Sequence, residues 1–390
     1  VAATPLRIFH VAGEHFHELQ ALPGAVPAGG FVWVAYARSA FAQSHPEVQA
    51  ALQRWGVGPL VDLHISDLLN AQLPSHFDDT SWYDLLIFRR LAAQTQAQAE
   101  NAASTSASVP PSQAAPLPRT TPRVDTRSAR VALESVSTSP VGFAVYDRVL
   151  ITVHPEDCAL REFFVHRWTT LAPAGDLRGS ARLPASPAEQ MLRMVNHMVD
   201  GYLDLRRLLS RQLGTLQQQL LDPRHRFADW SAVLDSRTTL HQLEDISEDQ
   251  RAAIQEWIDA MDEWPPEADA ARQRERELLR VRSRDVLEHV ERVLTHVRRL
   301  EQSAETAVQM HFSALSHRTN DIMRTLTALT AIFLPLNLIT GFFGMNFEFM
   351  PLVHSHLGFW LAVGAMGLVG IALVFFFRRK RYLGATGRTQ

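Results

Sequence analysis

One stretch near the C-terminal end limits what this chain can become. Thr325 to Phe347 is a run of about 23 residues without a formal charge, long enough to cross a bilayer as a helix. A loop from Gly344 to His356 follows, and then a second uncharged run from Leu357 to Phe377. Directly after it stands Arg378-Arg379-Lys380-Arg381. A basic cluster abutting a span stays on the cytoplasmic side, which puts the C-terminal tail, residues 378–390, inside. Two spans then return the long N-terminal part to the same side and leave only the 344–356 loop outside. The expectation is a multi-pass protein of the cell's inner (plasma) membrane, with both termini cytoplasmic and one large cytosolic domain.

The rest of the chain bounds the function from other directions. Its 390 residues suit two ordinary domains. A net charge of −3 gives no broad footprint for nucleic acid. A single cysteine, Cys158, rules out intrachain disulfides and cysteine-rich zinc sites. Val1 to Ala12 lacks a basic region followed by an apolar run, so insertion is expected to rely on the C-terminal spans. Neither a phosphate-cradling Gly-x-x-x-x-Gly-Lys loop nor a nucleophile–base motif is visible, and no enzyme is expected.

Residues 1–267 read as an α+β cytosolic domain, a mixed sheet with flanking helices and a helical subdomain. Phe31 to Tyr36, bounded by Gly29-Gly30, is a β-branched and aromatic run and a buried strand candidate. Pro46 to Trp55 reads as a helix with Val48, Ala51, Leu52 and Trp55 on one face. A short helix is expected at Ser66 to Asn70 and a strand at Asp84 to Leu91. Glu14, His15, His17 and Glu18 suggest either a metal cluster or a polar loop at the domain edge; without a third fixed ligand the loop is the better reading. From Ala92 to about Ser128 the chain is Ala, Gln, Ser, Thr and Pro, too poor in large apolar residues to offset its chain entropy, and a disordered insertion over 92–128 is expected. The sheet then resumes at Ala129 to Ser135, Val141 to Val145 and Val149 to Val153.

After a Pro-, Gly- and Ala-rich loop the pattern becomes helical. Ala188 to Leu221 carries Met191, Met194, Val195, Met198, Val199 and Tyr202 at helical period. Methionines at that spacing among leucines read as core packing rather than copper ligands. Phe227 to Trp264 reads as two shorter helices closed by Pro265-Pro266. No proline then occurs until Pro335, and Val286, Val290, Val293, Val297, Leu300 and Ala304 recur at steps of three and four. One helix is predicted from about Ala268 to Phe343, roughly 110 Å long at 1.5 Å per residue. Its cytosolic stalk is residues 268–324 and its membrane span 325–343. A stripe that long needs neighbours, and a symmetric bundle of copies would supply them.

The first span carries a face at heptad-like spacing: Asn320, Met323, Thr327, Thr330, Leu334, Asn337 and Gly341. Polar side chains inside a membrane usually face a protein interior or a water-filled cavity. Helix–helix adhesion through Thr and Asn is the competing reading, and the face alone does not decide between them. Repeated around an axis, it would make a tube of amide and hydroxyl oxygens without Asp or Glu. Such a tube suits a cation that keeps its inner water shell, as Mg²⁺ does. Met323 and Leu334 would interrupt it with apolar rings able to gate by dewetting.

Gly344-Met345-Asn346, preceded by Pro335 on one span and followed by Pro351 before another, resembles the CorA family of divalent-cation channels. The likeness runs through Asn320-Asp321-Ile322-Met323, Leu326-Thr327, Pro335, Gly341-Phe342-Phe343-Gly344-Met345-Asn346-Phe347 and Met350-Pro351. It reaches the cytosolic part more weakly, through Ile65 to Asn70, Leu150 to Val153 and Arg284-Asp285-Val286. The resemblance implies a homopentameric funnel in the lipid bilayer, with the first spans lining the pore and the second spans around them. It implies an outer ring of Asn346 that meets the hydrated ion, a tight turn at Gly344, and Met345 packed beneath. It also implies that Asp67 and Asp285 sense cytosolic Mg²⁺ between subunits, clamping the assembly shut when the ion is bound. A divalent cation is then both cargo and regulator, and no cofactor is implied.

Several positions depart from the magnesium members of the family. Ser66 stands where an acid is common, and Leu352 where Glu often follows the proline. The loop holds His354 and His356, which suit Zn²⁺, and the zinc-transporting ZntB branch shares the architecture. Asn337 replaces a common threonine and would add a second amide ring. Three readings follow: passive uptake of hydrated Mg²⁺, with Co²⁺ or Ni²⁺ as further cargo; zinc transport in the ZntB manner; and a non-conducting membrane-anchored scaffold or sensor pentamer.

Overall fold

Phe31–Ala37 is apolar throughout, and the fold makes it a strand buried on both faces. The computed structural model describes residues 6–92, 136–171, 182–221, 230–265, 269–345 and 356–380. The described strands are β1 (Leu6–Ala12), β2 (His15–Leu19), β3 (Phe31–Ala37), β4 (His76–Asp79), β5 (Asp84–Leu91), β6 (Thr138–Val145) and β7 (Val149–His154). The helices are α1 (Arg38–Arg54), α2 (Asp62–Leu69), α3 (Leu160–Leu171), α4 (Pro187–Leu221), α5 (Trp230–Glu263), α6 (Ala270–Phe343) and α7 (His356–Arg379). The chain divides into two units, Val1–Glu305 and Thr306–Gln390.

In the first unit the strands form one mixed sheet in the order β2-β1-β3-β7-β6-β5-β4. Only β3 and β7 pair in parallel, with Val34 opposite Ile151; the remaining neighbours are antiparallel. Alternation along each strand sends side chains to two cores. Ile8, Val34, Tyr36, Ile87 and Ile151 meet Phe41 and Leu52 of α1 and Ile65 and Leu68 of α2. Phe9, Trp33, Phe88 and Phe143 meet Trp168 of α3, Met191 and Met198 of α4, Trp257 of α5 and Val286 of α6. The methionines of α4 are core packing, as the spacing suggests. A third core joins α4, α5 and α6 through Leu205, Leu209, Leu240, Leu243, Val297 and Leu300.

Several elements differ from the sequence reading. α1 starts at Arg38, eight residues before the proline that was expected to open it. Pro46 sits inside the helix, and its missing N–H frees the Ala42 carbonyl, which lies 3.2 Å from His45 Nδ1. α2 begins at Asp62 rather than Ser66. The region expected as two short helices is the single helix α5. Ser236, Thr238 and Ser247 look like breaks, yet their hydroxyls donate to Val233, Leu234 and Leu243 carbonyls of the same helix at 2.7, 3.0 and 2.7 Å. The supposed polar loop at Glu14 to Glu18 is largely β2, an edge strand. His15 and His17 stack their rings there at 5.8 Å. Glu18 takes two bonds from Arg7, both 2.7 Å, so it is engaged by an arginine rather than offered to a metal. Helix α3 was not anticipated. The expected strand at Ala129 to Ser135 and nearly all of the 92–128 insertion lie outside the described residues.

The long helix appears as expected, with Pro335 inside it, but its stripe is covered differently. Val286, Val290, Val293, Val297, Leu300 and Ala304 are buried by α4 and α5 of the same chain, so this part of the stripe needs no second copy. In the second unit α6 and α7 are both long and apolar enough to cross a membrane. Only 6% of the most apolar stretch of each is buried within the chain, which separates them from core helices of a soluble protein.

Candidate ion pathway and regulatory carboxylates

Each apolar helix of the second unit has one shielded stripe. On α6 it comprises Ala328, Ala331, Ile332, Pro335, Leu336, Ile339 and Phe343. On α7 it comprises Ala362, Met366, Val369, Gly370, Leu373 and Phe377. Asn320, Met323, Thr327, Thr330, Leu334, Asn337 and Gly341 are all exposed. At about 100° per residue they centre roughly 150° around α6 from its shielded stripe. The polar face therefore looks away from the side the chain covers for itself.

Local bonding fixes what that face can offer. Thr327 and Thr330 donate their hydroxyl hydrogens to the Met323 and Leu326 carbonyls at 2.7 and 2.9 Å. Their oxygens keep lone pairs turned outward, so the threonines act as acceptors, as a cation's water shell requires. Asn320 and Asn337 add carboxamides, which both donate and accept. Met323 and Leu334, 56% and 69% exposed, stand between them as apolar steps. At the end of α6 Gly344 N–H donates to Thr340 O at 2.9 Å, and Met345 N–H to Phe342 O at 3.4 Å. A Cβ on Gly344 would stand 3.0 Å from Thr340 O, a tight approach that favours glycine. Asn346, Glu348, Pro351, Leu352 and His354 lie outside the described residues.

Asp67 and Asp285 do not meet within one chain. Asp67 is on α2, whose Ile65 and Leu68 belong to one core of the sheet. Asp285 precedes Val286 on α6, which belongs to the other. The sheet lies between them, so a pair of these carboxylates would have to come from two copies. Ser66, beside Asp67, is exposed.

Asp285 lines a cleft with Arg167, Arg193, Asn196, Asp200 and Arg282. His289 stands between the two aspartates, its Nε2 3.8 Å from Asp285 and its Nδ1 4.0 Å from Asp200. Burial raises the Asp200 pKa, His289 and His197 pull it back, and Asp204 and Asp285 push it further up. A cation reaching Asp285 thus gains from two acids and contends with His289 and the arginines. The sequence reading missed both His289 and Asp200. The four-residue step from Asp285 to His289 on one helix could have revealed the first. Asp200 comes from α4, and only tertiary packing brings it near.

A family model described as "CorA-like Mg2+ transporter protein" matches residues 119–379, about two thirds of the chain. The cobalt/magnesium transport protein CorA of Thermotoga maritima is 32% identical over 100 residues, 26% of this chain and 28% of that protein. The magnesium transport protein CorA of Haemophilus influenzae is 31% identical over 101 residues, 26% of this chain and 32% of that protein. The matched segments therefore span a third or less of these relatives. Among solved structures, the complete CorA magnesium transporter of Methanocaldococcus jannaschii superposes with a TM-score of 0.67 at 15% identity, covering 97% of this chain and 99% of that one. Full-length CmaX gives 0.55 at 17% identity, covering 97% of each chain. These two likenesses concern the fold: a mixed sheet with helices, a long helix and a C-terminal apolar helix. With the family model spanning most of its length, the chain belongs to the CorA-like Mg²⁺ transporter family.

Proposed function

We propose that this protein is a homopentameric channel that passes hydrated Mg²⁺, with Co²⁺ or Ni²⁺ as further cargo, down the membrane potential into the cell. In this reading residues 1–267 are the cytosolic domain, 268–324 the stalk, 325–343 the pore span, 344–356 the outer loop and 357–377 the outer span. The termini face the cytoplasm across the inner membrane. One observation carries the reading: the polar face of α6 lies opposite the stripe its own chain shields. Five such faces around an axis line a charge-free tube. Mg²⁺ gives up its waters reluctantly, so hydroxyl and amide oxygens that bond those waters are a better match than carboxylates that would strip them. Inside-negative potential favours a divalent ion by about 4.6 kcal/mol per 100 mV, so no nucleotide is required.

Regulation follows from the sheet that separates Asp67 from Asp285. Between neighbouring copies the two carboxylates repel until a divalent cation sits between them, which links occupancy to subunit contact. Cytosolic Mg²⁺ then closes the channel and depletion releases it.

Mg²⁺ flux into proteoliposomes under an inside-negative potential tests the pathway. Asn337→Leu and Asn346→Ala, in protein shown to be inserted, should each reduce the flux severalfold. Parental flux in both variants would remove the axial amides from the mechanism. A zinc cargo is the second reading, favoured by His354 and His356 in the loop sequence. Zn²⁺ uptake exceeding Mg²⁺ uptake, and driven by a pH gradient, would select it. Flux equal to that of empty vesicles for every divalent ion would instead favour a non-conducting scaffold.

A further inference from the structure

A group of metal-ligating side chains lies on the soluble unit, apart from the polar face and from Asp67 and Asp285. His241 and Glu244 are one turn apart on α5, and Glu301 faces them from α6. One ligand atom from each lies within 4.8 Å of the other two. Their backbones are held by packing beneath: Leu240 and Leu243 of α5 and Val297 and Leu300 of α6 are buried in one core. Glu244 offers its two oxygens to different tasks. Oε1 accepts from Arg298 Nε at 2.6 Å, and Arg298 also pairs with Glu248. Oε2 faces His241 Nδ1 at 3.9 Å, too far for a hydrogen bond.

We propose that His241, Glu244 and Glu301 bind a transition-metal dication such as Zn²⁺, Co²⁺ or Ni²⁺, joining α5 to α6. Ligands about 2.0–2.1 Å from a tetrahedral ion are roughly 3.4 Å apart, so a small turn of the exposed imidazole closes the 3.9 Å gap. The donor set decides the ion. An imidazole with two carboxylates suits borderline ions, whereas Mg²⁺ prefers oxygens alone and retains its waters. Arg298 fills the outer-shell role, holding one Glu244 oxygen so that the other points at the site. Without an ion, Glu244 and Glu301 place two acids side by side with Arg298 compensating from one flank.

The test uses the full chain in detergent, stripped of metal and titrated with Co²⁺ followed by its visible absorption and by binding stoichiometry. Other histidines also take up Co²⁺, so the quantity read is the difference between the parent and two variants, His241→Ala and Glu301→Gln. His241 is exposed and Glu301→Gln keeps size, so both should retain the parental circular dichroism. The parent is expected to hold one more equivalent per chain than either variant, and millimolar Mg²⁺ should not displace it. Arg298→Met should weaken that equivalent by roughly 10- to 100-fold without abolishing it. Equal stoichiometry and affinity in the parent and both variants, or displacement by Mg²⁺, would overturn the proposal. The assay involves no transport, so its result is independent of whether the channel conducts.

Discussion

Replacing Asp84 with asparagine should make the first unit more stable, by an amount that grows as pH rises to about 7 and then levels off. Asp84 pairs with Asp79 across β4 and β5, and Asp147 lies in the turn after β6. They line an open cleft that also carries Asp78, Glu256, Asp259 and Glu263, and none of its described lining residues is basic. Burial first, then repulsion from Asp79 and Asp147, pushes the Asp84 pKa from 3.8 to about 7. An acid whose folded pKa is raised binds its proton more tightly in the folded state. Its stabilising effect is complete below the unfolded value and is lost as pH climbs from about 3.8 to about 7. At 1.36 kcal/mol per unit the ceiling is roughly 4 kcal/mol; partial contact with water halves it to about 2. A carboxamide does not titrate, so Asp84→Asn should recover that amount above pH 7. For a unit of this size it is a rise of about 4 °C in Tm. Thermal melts in EDTA, followed by the fluorescence of Trp82 and Trp264 at the cleft, give the readout between pH 5 and 8. The gap between variant and parent should be roughly 40% of its full size at pH 5 and complete by pH 8. A variant that melts at or below the parent at pH 8, or a gap indifferent to pH, would refute the electrostatic account.

Three further outcomes are expected. Asp285→Asn should require roughly tenfold more Mg²⁺ for the same protection from proteolysis, about 1.4 kcal/mol; unchanged protection would remove Asp285 from the regulatory site. Gly30→Ala should destabilise the sheet by about 3 kcal/mol, read as a lower denaturant midpoint, because Gly30 has φ +72° and a Cβ there would meet Val11 O at 1.9 Å. Arg276→Met should cost about 3 kcal/mol, also by denaturant midpoint. The buried guanidinium donates to the Met261, Trp264 and Pro265 carbonyls at 2.7, 2.5 and 2.7 Å at the end of α5, and a thioether leaves them unpaired.

The sequence by itself determined the features that depend on local pattern. Two charge-free runs had to become helices able to span a bilayer, because unpaired backbone groups are costly in hydrocarbon. The stretch from Ala270 to Phe343, with only Pro335 against it, was legible as one helix, and the polar residues at heptad spacing defined its odd face. The all-apolar β3 was legible as a strand covered on both sides. The start of α1 and the unity of α5 were not. Proline and hydroxyl side chains signal breaks in isolation, whereas packing against the sheet and bonds back to the helix's own carbonyls overrode those signals.

Tertiary structure alone decided what lies near what. It covered the apolar stripe of α6 from Val286 to Ala304 with α4 and α5 of the same chain, and it left the polar face in the second unit uncovered by that unit. It set Asp67 and Asp285 on opposite sides of the sheet, brought Asp200 beside His289, and brought Glu301 to His241 and Glu244. Each juxtaposition joins residues far apart in the chain. Periodicity reports which face of an element is apolar, while the neighbour of that face follows only from how the buried surfaces of all the elements are matched together.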